Sequence, residues 1–128
     1  TRLADGLERV AREVGAPAFL KDNVDLEGSG QGRTTITCAC ALAAGSRSTL
    51  YAGGGIGTEV RHLTVTNPGG AANVSVALEL DGTGASFSVI DTTLSATNGS
   101  GPSFSAMTMW IRNGASHPHI DHVSGSLG

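Results

Sequence analysis

The sequence predicts a mainly β fold: an antiparallel sandwich or jelly-roll-like barrel, preceded by a short N-terminal amphipathic helix. Three observations carry that expectation. Apolar and polar residues alternate with period two from Thr34 onward, the pattern of half-buried strands. Gly, Asn-Pro, Asp-Gly and Asn-Gly signals cut this region into roughly six to eight short strands, the spacing of sandwiches and jelly rolls. With 19 Gly and few aromatic residues (3 Phe, 1 Tyr and 1 Trp) among 128, the core must be built from small β-branched and aliphatic side chains between turns.

The first element is the arm, residues 1–20. Within it Leu3, Leu7, Val10 and Val14 recur at the spacing of an amphipathic helix stripe. Gly15 supplies a C-terminal stop and Pro17 prevents resumption. A helix shorter than about 12–15 residues is marginal alone, so this stripe has to pack on something. It is read here as the assembly interface. Residues 21–32, KDNVDLEGSGQG, form a charged, glycine-rich connector. Their glycines are not followed by the Lys-Ser or Lys-Thr of a phosphate loop, and the Gly53–Gly57 run leads into a strand rather than a helix.

Residues 33–128 form the β domain. Strand patterns run through Thr35 to Leu42, Val60 to Thr66, and Asn73 to Leu80, where Val74, Val76, Leu78 and Leu80 share one face. Asp81-Gly82 predicts a hairpin into Ala85 to Ile90. A last strand about Ser103 to Arg112 carries Phe104, Ala106, Thr108 and Trp110 on one face, which puts Trp110 in the core, and Asn113-Gly114 turns after it. No repeat at a fixed period stands out.

A net charge of −3, with eight Lys and Arg dispersed along the chain, offers no basic footprint for phosphate backbones, so nucleic acid is not an expected partner. No apolar run approaches the roughly 18 residues needed to span a bilayer, and no basic-then-apolar leader precedes the arm. The expected setting is therefore a cytoplasm, without membrane. Cys38 and Cys40 are the only cysteines. In a strand they would lie on one face about 7 Å apart, too far for a disulfide, so two reduced, buried thiols are expected.

The C-terminal run His117-Pro118-His119-Ile120-Asp121-His122 resembles the H-x-H-x-D-H motif of the metallo-β-lactamase superfamily. The resemblance covers about a dozen residues. It implies further ligands downstream, where only Val123 to Gly128 follow, and a layered α/β fold that the rest of the chain does not offer. A hydrolytic centre needs at least three ligands and an open position, so a metal-dependent hydrolase is conceivable only with a site shared between chains. The expectation is no cofactor, apart from a structural ion held between chains by His117 and His119. An H-x-H pair resembles that arrangement at the threefold axes of some phage fibres and spikes. No serine nucleophile motif is present, and the chain is read as non-enzymatic.

Ser48-Thr49-Leu50-Tyr51, a glycine turn, Glu59 to Asn67 with its Leu63-Thr64-Val65-Thr66-Asn67 end, and Ala71 to Leu78 together resemble a β module of small virion proteins of tailed bacteriophages. Ala52-Gly53-Gly54-Gly55 stands where that module has Pro-Ala-Gly. The resemblance covers some 30 residues. It implies a bacteriophage structural protein, a tail, fibre or capsid-surface component, held to other virion proteins by its N-terminal arm. It also implies a homo-oligomer, such as a trimer, assembled in the host cytoplasm and located in the virion. The alternative is a carbohydrate- or receptor-binding sandwich module.

Overall fold

The computed structural model describes residues 18–38, 48–54, 57–69, 74–82, 87–98, 105–114 and 118–128. Its strands are β1 (Ala18–Phe19), β2 (Leu26–Glu27), β3 (Thr35–Thr37), β4 (Ser48–Gly53), β5 (Glu59–Asn67), β6 (Val74–Asp81), β7 (Ser88–Ala96), β8 (Ser105–Arg112) and β9 (His119–Leu127). Among the described residues there is no helix. The expected helix of residues 2–14, with Leu3, Leu7, Val10 and Val14, lies outside them.

Among the described residues every strand pair is parallel, which overturns the antiparallel sandwich or barrel. One sheet has the order β1-β4-β6-β8 and the other β2-β5-β7-β9, with β3 also pairing β5. The chain therefore alternates between sheets, and each strand lies on its counterpart one turn earlier. This is a β-solenoid. Val60 pairs with Val89 and Val89 with Ile120, a period of about 30 residues, within the range of solenoid repeats.

The predicted hairpin at Asp81-Gly82 is corrected in the same way. β6 and β7 belong to different sheets, and the turn bonds to the turns above and below it: Gly54 N–H donates to Asp81 O at 3.1 Å and Gly82 N–H to Arg112 O at 3.0 Å. Gly82, at φ 74°, takes the left-handed conformation that glycine permits. It serves an arc between sheets rather than a hairpin.

Inward side chains stack into columns. Leu26, Val60, Val89 and Ile120 share one, and Ile36, Val65, Leu94 and Gly125 another. From the facing sheet come Leu50, Leu78 and Met109, then Ala52, Leu80 and Ile111. Most of these side chains, with Phe87, form one buried cluster against which Met109 and Val123 pack. Each fully buried aliphatic side chain contributes on the order of 1.5–3 kcal/mol. Ala18, Leu20 and Leu26 already belong to that cluster, so the first turn of the solenoid starts within the stretch read as arm and connector. At the other end Ile111, Ile120 and Leu127 are exposed, because β8 and β9 are paired on one side only.

Both sheets bend. Thr49, Ala77 and Thr108 drop out of the first ladder, and Ala77 joins the buried cluster beside Leu78 whereas Val76, though fully buried, does not. The predicted single face of Val74, Val76, Leu78 and Leu80 is thus broken at Ala77. In the second sheet the bend falls at His62, Asp91 and His122, with φ of 58°, 46° and 52°.

Cys38 is disulfide-bonded, and the sequence holds one other cysteine, Cys40. The expectation of reduced thiols assumed a strand through both. β3 ends at Thr37, so the strand spacing does not apply.

Candidate functional site

Two rows of polar and aromatic side chains run across the turns on the outside of the solenoid. The first sits at the bend of the second sheet, where Gly28, His62, Asp91 and His122 occupy equivalent positions, since Glu27 pairs with Arg61, Arg61 with Ile90 and Ile90 with Asp121. His62 Nε2 lies 3.4 Å from Asp91 Oδ2, and His62 Nδ1 lies 3.5 Å from Glu27 Oε1. His122 Nδ1 is 3.9 Å from Asp91 Oδ1 and 2.9 Å from Asp121 Oδ1. Beside it, Arg61 is bonded to Glu59, Glu27 and Asp25 at 2.7–3.2 Å. The hydrogen bonds that Arg61 donates to those carboxylates, Glu59 first, hold its pKa above the ordinary value, and Arg61 in turn lowers that of Glu27.

A groove of about 490 Å³ opens here between Glu27, the Ser29–Gln31 loop, His62 and Asp91. The loop is pinned across two turns: Gly30 N–H donates to His62 O, Thr64 Oγ1 to Gln31 O, and Thr93 Oγ1 to Gln31 Oε1. The backbone accounts for the residue types. At left-handed φ, Asn, Asp and His are the tolerated non-glycine residues, and the three members of this column that take it, His62, Asp91 and His122, are all of such types. Its chemistry follows from a requirement of the fold.

The second row lies on the outer face of the first sheet. Phe19 pairs with Tyr51, Tyr51 with Glu79, and Glu79 with Trp110, while the neighbours Leu50, Leu78 and Met109 turn inward to the core. Trp110, predicted to be a core residue, is therefore outside and half-buried. Phe19 is 58% exposed, and its ring meets Tyr51 edge to face at 5.6 Å. The Arg112 guanidinium lies 4.5 Å from a Trp110 ring centroid, within cation–π range.

Polar groups bind this row together. Arg112 Nε and Nη2 both reach Glu79 Oε2 at 2.7 Å, and Arg112 Nη2 lies 3.1 Å from Asp81 Oδ2. Tyr51 Oη donates to Asp81 Oδ2 at 2.7 Å and Asn113 Nδ2 to Asp81 Oδ1 at 2.8 Å. The phenol's hydrogen bond, then that of Asn113, lowers the Asp81 pKa, and the carboxylate raises that of Tyr51. The sequence did carry a signal for this row. Ala18-Phe19-Leu20-Lys21, Leu50-Tyr51-Ala52-Gly53, Leu78-Glu79-Leu80-Asp81 and Met109-Trp110-Ile111-Arg112 repeat one pattern, apolar, outward, apolar, turn.

The proposed metal ligands are not gathered in the described residues. His119 opens β9 and is exposed, paired opposite Ser88; His117 lies outside the described residues. Among the described residues no three His, Cys, Asp or Glu side chains form a metal-holding group. The H-x-H-x-D-H run is instead split by the bend: Ile120 stacks in the column of Val60 and Val89, while Asp121 and His122 join the outer corner.

No protein-family profile, curated protein or solved structure matches the chain.

Proposed function

We propose that the chain is a rigid β-solenoid segment of a structural surface protein, of the kind a bacteriophage builds into a tail, fibre or capsid-surface component. The observation that supports this most is the continuous register: β5, β7 and β9 pair from Glu59, Ser88 and His119 to Asn67, Ala96 and Leu127. A rod whose strands are bonded from turn to turn on both sides of the bend behaves as a stiff, quasi-one-dimensional element. The open edge of β8 and β9, with Ile111, Ile120 and Leu127 exposed beside it, is a surface on which further parallel strands can stack. A disulfide at Cys38 suits a protein that works in an oxidising exterior.

The sandwich implied by the likeness to small virion proteins does not carry over, so the structural role rests on the rod. Under this reading Leu3, Leu7, Val10 and Val14 attach the segment to neighbouring virion proteins, in a homo-oligomer, and the chain is not an enzyme. Immunogold electron microscopy with an antibody against the purified chain tests it. Label on particle appendages is expected; label confined to soluble cell contents overturns the reading.

A further inference from the structure

Aromatic side chains on an outer face, here Phe19 exposed and Tyr51 and Trp110 half-buried, leave apolar surface to water, and this chain has few to spare: 3 Phe, 1 Tyr and 1 Trp. Phe19, Tyr51 and Trp110 nevertheless stand outside, in one register row of the first sheet. The row crosses the strands and so runs along the solenoid axis. With neighbouring strands about 4.8 Å apart, Tyr51 and Trp110 are separated by roughly 10 Å, the length of about two sugar rings.

We propose that this row binds an uncharged, linear oligosaccharide lying along the solenoid axis. A pyranose ring is two-faced in the way this surface is. Its C–H faces are apolar and stack on aromatic rings, which supply a large contact area at little entropic cost. Its rim of hydroxyls needs acceptors and donors beside those rings, and Asp81, Arg112 and Asn113 supply both.

Charge decides the class of glycan. Glu79 is 2% exposed and is neutralised by Arg112, which also reaches Asp81. With Lys21 at the Phe19 end of the row, two cations stand against two carboxylates, so the row has no net charge with which to attract a polyanionic chain. An apolar peptide would leave the Asp81 and Arg112 cluster to be desolvated without new partners. The network also fixes the platform in advance, since Arg112 holds Trp110 and Asp81 holds the Tyr51 phenol. Preorganised side chains lose little freedom on binding.

The inference is independent of the rod reading, because it concerns what one face of the solenoid binds and not where the rod is used. The test is affinity electrophoresis of the full chain in native gels. The uncharged polysaccharides are hydroxyethyl cellulose, a mixed-linkage β-glucan, galactomannan and dextran; pectate and heparin serve as acidic controls. Retardation by at least one uncharged polymer is expected, weakened at least tenfold by Trp110→Ala and by Tyr51→Ala and largely kept by Tyr51→Phe. Melting temperatures and circular dichroism identify any variant that has lost its fold, and Phe19→Ala, at the exposed end of the row, then stands in for it. No retardation by any uncharged polymer overturns the proposal. So does binding to the acidic polymers alone, or binding that the ring deletions leave intact. Self-association of the wild type that Phe19→Ala abolishes would put a second copy on the row and overturn it as well.

Discussion

Arg112 reaches across one strand to Glu79, with Nε and Nη2 both 2.7 Å from the same carboxylate oxygen. Glu79 is buried and Arg112 is partly exposed, so the carboxylate depends on the guanidinium. Removing one partner of such a pair leaves an uncompensated charge, whereas replacing both with apolar groups can be neutral. Arg112→Ala is expected to destabilise the fold by about 2–4 kcal/mol, and Glu79→Leu with Arg112→Leu to cost less than Arg112→Ala alone. Urea denaturation of the two variants against the wild type measures the difference. A double variant worse than the single one would mean that the pair contributes net stability.

At the bend of the second sheet the backbone, not the side chain, sets the expected cost. His62 has φ 58° and Asp91 φ 46°, where glycine is free of strain and β-branched residues are not. His62→Gly should leave stability within about 1 kcal/mol, because relief of the backbone offsets the lost contacts to Glu27 and Asp91. His62→Val should cost about 2 kcal/mol or more. Equal losses in thermal denaturation would show that the side chain, not the backbone, determines the residue at this corner.

Gly28 occupies the same column for another reason. A Cβ there would lie 2.5 Å from His62 O, 2.7 Å from Leu63 Cβ and 2.8 Å from Thr34 Cβ, none of which is the far end of a flexible chain. Gly28→Ala should therefore destabilise by about 1–3 kcal/mol through overpacking. At Gly54 the space is open but φ is +74°, so Gly54→Ala should cost about 1–2 kcal/mol from backbone strain alone. Only the first is expected to disturb the Ser29–Gln31 loop, which amide exchange at Gly30, a donor to His62 O, would report.

The β content was legible because alternation is a local property, and Thr64-Val65-Thr66 or Leu78-Glu79-Leu80 display it plainly. Pairing partners are not local. Asp81-Gly82 and Asn113-Gly114 suit a hairpin or an arc between sheets equally well, since either needs a residue with positive φ. The deciding signal was the repeat of about 30 residues, which is blurred because the inward columns exchange Val for Ile and Leu for Met, and because His62, Asp91 and His122 satisfy one backbone demand with different chemistry. The aromatic row was hidden for the same reason. Trp110 looks like core by composition, and only the register with Tyr51 and Glu79 puts it outside. The bend at Ala77 brings the adjacent Ala77 and Leu78 into the buried cluster together without any glycine or proline to announce it.

Tyr51 and Asp81 make stability depend on pH at both ends of the scale. The phenol's hydrogen bond, with that of Asn113, lowers the Asp81 pKa, and the carboxylate raises that of Tyr51. A carboxyl group depressed in the folded state contributes stability that is complete above its unfolded pKa, near 4, and is lost as pH falls through the folded value. A phenol raised in the folded state contributes stability that is complete below its unfolded pKa, near 10, and is lost as pH rises through the folded value. The bond between them therefore stabilises most from about pH 4 to about pH 10. Tyr51→Phe removes the donor and keeps the ring. The stability difference between wild type and Tyr51→Phe should be constant between about pH 5 and 9 and shrink outside that window, on the acid side as Asp81 is protonated and on the alkaline side as Tyr51 ionises. Urea denaturation across the pH range measures that difference, and an NMR titration should place the Asp81 carboxyl closer to its ordinary value in the variant. A difference that stays flat from pH 2 to pH 11, or an Asp81 titration that Tyr51→Phe does not move, would mean that the phenol and the carboxylate are not bonded in solution.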